Sequence, residues 1–291
     1  MSEEFELLES HTTFDFKDLL FKLLSYWPLF LISLAIGFGI AYSVNVRKLP
    51  VYRLDTLISI KDDQNPFFTS NTSLTFNWGG TTDKVNTATI SLKSRTHNER
   101  VVDHLQFYTN YYKDGKYKKL DAYKKSPFLV QVDTSQYQIL NNLLQVQFID
   151  STTFILSTII EEPRNFSFQK YASKEKKSKY FEAQNFSKEF KIGQKISSLF
   201  FKGIILPNPE MEVQPNSVYF ISFSNFDSVV RGYMDINIKP ESKGGSVLRL
   251  SLINRNKYKI VDYLNASVQV LSKNMLDYVI LQFRLFFESF F

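Results

Sequence analysis

Few residues in this chain have the type and spacing that nucleophilic or metal chemistry needs. There is no cysteine, which excludes disulfides, thiolate zinc sites and cysteine nucleophiles. The histidines are His11, His97 and His104. His97 and His104 are seven apart and can share a helix face, but no Glu-flanked pair at the i, i+4 spacing of a zinc helix accompanies them. All three are expected to be solvated helix histidines, and no metal site is expected. A phosphate-binding loop needs Gly, four residues and then Gly-Lys-Ser/Thr, so that backbone amides wrap the phosphates. The Gly-Lys pair here is Gly115-Lys116, followed by Tyr117 and with Asn110 where the first glycine belongs. No nucleophile elbow occurs either, since Gly244-Gly245-Ser246 runs on into Val247-Leu248.

Paired carboxylates remain at Asp62-Asp63 and Glu161-Glu162, in turn-like or strand-end surroundings where hydration and edge protection explain them. A glycosidase pair would meet only in three dimensions and stays open. Lys170, Lys174, Lys176, Lys177 and Lys179, interleaved with Tyr171 and Tyr180, read as a solvated surface loop, with attraction of an anionic polymer as the alternative. Asn71, Asn165 and Asn185 each open an Asn-x-Ser triplet, too short a pattern to carry weight. No catalytic, cofactor-binding or metal-ligating residue is assigned, no cofactor is expected, and a non-enzymatic role is expected.

The elements that would position any such group belong to a folded chain. Of 291 residues, 44% are hydrophobic and 22% charged, which excludes a disordered or collagen-like polymer. The 28 Phe and 16 Tyr require large buried or strand-lined surfaces. The net charge of +6 is mild and by itself decides nothing about partners.

No charge falls between Lys22 and Arg47, and the run 23–46 would rise about 36 Å as a helix, enough to cross a bilayer. Tyr26, Trp27 and Tyr42 lie near its ends, at headgroup level. A cleaved signal peptide competes, with Gly39 and Ala41 as small residues for a cleavage site. The leader is acidic, however, and the run is long, so an uncleaved anchor is expected. Arg47, Lys48 and Arg53 follow the span while Lys17 and Lys22 precede it, which leans weakly towards an internal body.

Residues 52–60 alternate, with Tyr52, Leu54, Thr56, Ile58 and Ile60 on one face of a half-buried strand. Residues 65–80 read as a loop whose Phe67, Phe68, Phe76 and Trp78 pack on a neighbour, and Asp83 can cap the helix that follows. Val85, Ala88 and Leu92 share a helical face. A second start is read at Thr96 with Glu99 three residues on, continuing through Val101, Val102, Leu105 and Tyr108 to the polar stretch 113–125. Period two then takes over at Phe128, Val130 and Val132, at Leu144, Val146 and Phe148, and at Phe154 and Leu156, with Asp150, Ser151 and Thr152 closing a hairpin. Strands are expected over 218–223, 234–238 and 247–252, with a short helix over 226–233. Val261, Leu264, Val268, Leu271, Met275 and Tyr278 step by 3 and 4, the seam of a helix that packs on the core or on other helices or subunits. The Phe-rich tail 279–291 fits three readings: a surface-seeking amphipathic end, an edge packed on the body, or a truncated product. The mixed order without regular βαβ alternation is that of an α+β fold.

Phe14-x-x-x-Asp18-Leu19-Leu20, the apolar span, the strand 52–60, Ile90-Ser91-Leu92-Lys93-Ser94-Arg95 and Val101-Val102-Asp103-His104-Leu105 follow one another in an order that resembles the polysaccharide chain-length determinant (Wzz-type) N-terminal domain. Val247-Leu248-Arg249-Leu250-Ser251-Leu252 followed by Asp262-Tyr263-Leu264-Asn265 resembles the strand and long-helix start of the same family. The likeness covers most of the chain and is nearest the periplasmic part of co-polymerases linked to tyrosine autokinases. It implies an inner-membrane protein with an α+β periplasmic body and a short cytoplasmic N-terminus, against the cation count. The implied role is oligomeric control of the length or export of lipopolysaccharide, capsular or exopolysaccharide, without a catalytic residue in this region.

The resemblance divides the chain into a cytoplasmic segment 1–22, a transmembrane helix 23–46, a periplasmic domain 47–255, and the long-helix start with apolar tail 256–291. It implies as partners further copies of the chain, a polymerase or export machinery, polysaccharide and membrane lipid; nucleic acid is not expected. Family members return through a second span, and kinase-linked ones add Walker motifs and a tyrosine-rich tail. None of these is in the sequence, so a truncated product is expected. The rival reading is a membrane-anchored periplasmic ligand-binding or sensory domain.

Overall fold

The computed structural model describes Lys17, Phe21 and residues 25–60, 80–242 and 245–288; of 80–84 and 274–288 it describes the backbone. The chain falls into two compact units, 1–49 and 50–291. In the first, α1 (Trp27–Arg47) is apolar on every side and buries none of its residues, so water is a poor solvent for it. Its 21 residues and mean hydropathy of 2.0 make it long and apolar enough to cross a membrane. Pro28 sits in its first turn, where a missing N–H costs nothing, and Arg47 lies in its last turn beside the carbonyl end.

The second unit runs through β1 (Tyr52–Ser59), α2 (Gly80–Lys93), α3 (Arg95–Leu105), β2 (Thr109–Asp114), β3 (Lys119–Asp121), β4 (Phe128–Val132), β5 (Tyr137–Ile139), β6 (Leu144–Phe148) and β7 (Thr153–Ile160). It continues with β8 (Arg164–Lys170), β9 (Lys176–Phe181), β10 (Gln184–Lys191), β11 (Lys195–Ser197), β12 (Lys202–Pro207), β13 (Val218–Phe223), α4 (Phe226–Met234), β14 (Asn237–Pro240), β15 (Val247–Asn254) and α5 (Lys257–Glu288). The fold is mixed α+β.

The first strand of this unit pairs antiparallel with the last, Tyr52 opposite Asn254 and Ser59 opposite Val247, and β14 completes a three-stranded sheet. The inward positions Leu54, Thr56 and Ile58 are half-buried or buried, as the alternation requires. Val85, Ala88 and Leu92 of α2 are buried as one stripe. Asp83 is no cap, because α2 already begins at Gly80; the loop over 65–79 lies outside the described residues.

The break between α2 and α3 is a single residue, and the cap is Ser94 rather than Thr96. Ser94 alone has the extended backbone a cap needs (φ −65°, ψ 148°), and its hydroxyl accepts from the His97 N–H at 3.2 Å. Glu99 pairs instead with Arg95 at 2.7 Å. Asn98 clamps the break by donating to Leu92 O (3.0 Å) and Ser94 O (2.8 Å). Ser94→Ala is expected to cost about 1 kcal/mol, read as a lower urea midpoint with unchanged slope. The helix stops at Leu105 because Gln106 turns left-handed (φ 49°), which sends Tyr108 into the core and starts β2 inside the stretch expected to be a helix and then a polar segment.

A six-stranded antiparallel sheet, in the order β10-β7-β6-β13-β2-β3, dominates the β-rich part. The expected β6–β7 hairpin is present, Phe148 opposite Phe154, with Asp150 accepting from the Thr152 and Thr153 N–H groups in the turn. Its inner face, including Val146, Phe148, Phe154 and Ile221, is essentially inaccessible to water. Phe128 of β4 enters this face, 5.6 Å from Phe148 and 5.7 Å from Tyr219 between ring centroids. Two three-stranded sheets, β11-β12-β4 and β5-β8-β9, complete the enclosure. Buried Gln138 joins them, donating to Lys202 O at 2.7 Å and accepting from Lys202 N at 2.9 Å.

Met234 closes α4 and the following strand begins only at Asn237, so the strand expected over 234–238 is displaced. Asn225 caps α4 and its Phe226, Val230 and Tyr233 face the core, a helical period that carries on through Met234.

Helix α5 runs without interruption for 32 residues, about 48 Å, so the tail expected to break from it is helical to Glu288. Its buried stripe is Ile260, Tyr263, Leu264, Ser267 and Leu271, packed on α3, β1 and β15. Val261, placed on the seam by spacing, is 42% exposed. The buried face is centred instead on Tyr263 and Ser267, whose hydroxyls meet Asn98 and His97 of α3. Met275 and Tyr278 lie where only the backbone is described.

Candidate functional site

The turn before α4, the edge strand β9 and the end of β5 enclose an open cleft of about 390 Å³, lined by Leu140, Asn141, Ser167, Lys176, Ser178 and Asn225, with Lys177 beside them. Two local features build it. Asn225 Oδ1 accepts from Ser228 N at 3.2 Å and starts α4, while buried Gln169 accepts from Phe226 N at 2.9 Å and ties that helix start to β8. Antiparallel pairing places Ser167 opposite Ser178 and Gln169 opposite Lys176, so that hydroxyls, an amide and an ammonium share one face.

The electrostatics of the cleft are largely settled internally. Asp227 accepts from Lys176 at 2.7 Å and from Arg95 at 2.5 Å, and these two cations hold its carboxyl below the usual range. Lys174 pairs with Asp103 at 2.7 Å, and Lys170 approaches Glu175 at 3.7 Å. Lys177 lies 3.7 Å from the Tyr137 ring centroid and Lys179 5.1 Å from that of Phe181. The basic run is therefore no solvated loop. It spans the end of β8, a turn and the edge strand β9, where exposed lysines oppose pairing with another chain. The arrangement can hydrogen-bond a small polar ligand; it is not a concentrated positive field.

A second polar cluster lies between α3 and α5. His97 is 1% exposed, which corrects its reading as a solvated histidine, whereas His104, two turns further along α3, is exposed. His97 Nε2 meets Ser267 Oγ at 2.7 Å, whereas Nδ1 is buried without a hydrogen-bond partner among the described residues. Burial first, and the Arg100 guanidinium second, push the imidazole down to about 4. Next to it Tyr263 donates its hydroxyl to Asn98 Oδ1 and stacks on Tyr233 with centroids 4.4 Å apart.

Other groups singled out by sequence are scattered. Glu161 and Glu162 are exposed just after β7, Gly115-Lys116 lies in the β2–β3 turn, and Asn165 and Asn185 are exposed on β8 and β10. His11, Asp62, Asp63 and Asn71 lie outside the described residues. Among the described residues no group of three or more His, Asp or Glu is gathered as a metal would require. Sequence reasoning missed Asn141, Gln169, Asn225 and Asp227. Asn225 was readable as a cap before the periodic face of α4, but Gln169 and Asp227 gain their meaning only once β9 lies beside α4.

No protein-family model and no curated protein matches this chain.

Proposed function

We propose that this chain is a membrane-anchored, co-polymerase-like protein that governs the length or export of a polysaccharide by assembling into oligomers rather than by catalysis. In this reading α1 crosses the bacterial inner membrane and the body stands on the periplasmic side. The observation that carries it is the pairing of β1 with β15. The strand that follows the anchor in the chain and the strand that leads into the 32-residue α5 are neighbours in one sheet. Anchors confined to one membrane plane raise the effective concentration of many copies, which favours lateral assembly. The order of elements resembles that of chain-length determinants.

The test is the full chain in detergent, sized by light scattering, and its expression in a bacterium making a long surface polysaccharide. Particles larger than a dimer and a shifted modal chain length are expected. Monomers with an unchanged length distribution would overturn the reading. Leu264 and Leu271 are core residues of the body, so a variant meant to disperse oligomers belongs at exposed Val261, as Val261→Asp. The polar cleft favours a second reading, an anchored ligand-binding or sensory domain, which a monomer that binds a small polar ligand would select.

A further inference from the structure

The outer face of the six-stranded sheet differs from a face that meets only water. Tyr112, Phe220 and Gln145 stand directly opposite one another on β2, β13 and β6, and Val218, Gln147 and Ile155 form the next row on β13, β6 and β7. None of the six is charged and each is half-buried. A solvated antiparallel face is ordinarily polar and rich in charge. The first row continues through Ser157 and Ser187, across five strands and about 19 Å. Gln145 donates to Gln147 at 3.4 Å, setting the two amides side by side. Charge stands on the edge strands, with Asp121 of β3 opposite Tyr112 and Glu189 of β10 opposite Ile155, and reaches inward where Lys119 lies 3.1 Å from the Phe220 ring centroid and donates to Asp114 at 2.8 Å.

We infer that this face binds an uncharged polysaccharide chain laid across the strands. Sugar rings have apolar C–H faces that pack on aromatic and aliphatic side chains, and hydroxyls that exchange hydrogen bonds with amides, which both donate and accept. A row of ring, ring, amide, hydroxyl and hydroxyl offers an extended ligand an apolar stretch followed by a hydrogen-bonding one. The six residues of the two rows carry no charge, which matches an uncharged polymer. The inference rests on the proposed function for the reason a glycan reaches the body. It requires neither oligomers nor length control, so binding and length control fail separately.

The experiment is affinity electrophoresis of the detergent-solubilised full chain through gels containing dextran, galactomannan or xyloglucan, with alginate as the acidic comparison. At least one neutral polymer is expected to retard the protein. Tyr112→Ala and the double variant Gln145→Ala/Gln147→Ala should each weaken that retardation at least tenfold with an unchanged melting temperature, while Lys177→Ala leaves it intact. No retardation by any neutral polymer, or retardation of the Tyr112 and glutamine variants equal to that of the unchanged protein, would overturn the inference. So would salt-sensitive retardation by alginate alone. Oxidative cross-linking of Gln147→Cys between copies would overturn it too, by showing that a second chain occupies the face.

Discussion

Replacing Tyr263 with alanine is expected to destabilise the body by about 3–5 kcal/mol, the range for deleting a large buried aromatic. Tyr263 is completely buried, its ring stacks on Tyr233, and its hydroxyl reaches Asn98, the residue that also bonds both carbonyls at the α2–α3 break. One side chain thus joins α5, α4 and the two N-terminal helices of the body. Tyr263→Phe separates the contributions. It keeps the ring, leaves the Asn98 oxygen without its donor, and should cost about 1–3 kcal/mol. Denaturant titration of the full chain in detergent measures both. A loss below about 1 kcal/mol for Tyr263→Ala would mean that α5 is not held at this point.

Acid is expected to loosen the same interface between about pH 6.5 and 4. His97 is neutral in the folded protein because burial and then Arg100 oppose its charge, so its proton affinity falls from the ordinary 6.5 to about 4. In the unfolded chain it takes up a proton below about 6.5. The unfolded state therefore binds more protons between these values, and stability present above pH 6.5 declines as pH falls towards 4, by on the order of 3 kcal/mol. Carboxylates such as Asp227 and Glu241, held low by Lys176 and Arg95 and by Arg249, begin to lose their contribution near their ordinary values of 3.8 and 4.5, at the acid end of this window and below it. His97→Gln, which removes the titrating group, should flatten the profile over the window. A wild-type profile already flat between pH 7 and 4.5 would contradict the assignment.

Patterns carried by strong periodicity were legible from the amino acids alone. The apolar helix, the β6–β7 hairpin, the strand β13 and the buried stripe of α2 each depend on local chemistry. The strands β8 to β12 were not, because each is short or carries Lys, Ser and Glu among its apolar residues, so that a period of two does not stand out. β9 shows the difficulty best: Phe181 alone of its residues is buried. Seam spacing misjudged Val261 because a 3–4 step defines a stripe but not which stripe the body faces. His97 was misread for a related reason. A histidine beside Arg100 and Glu99 looks solvated until α5 brings Ser267 to it. The cleft was hidden since its residues come from β5, β8, β9 and the start of α4, and no local signal announces that they meet.

Pairing the first strand of the body with its last has a kinetic consequence. During synthesis β1 emerges early and has no mate until Val247–Asn254 follows, near the end of the chain. Closing so long a loop is slow, and until it closes the Leu54–Ile58 face waits uncovered. The opening sheet of the body is therefore completed only after the strands between its two partners have been made. Ribosomes that stall before that late strand would release chains whose opening strand is sticky, and which quality-control proteases can tell from finished molecules.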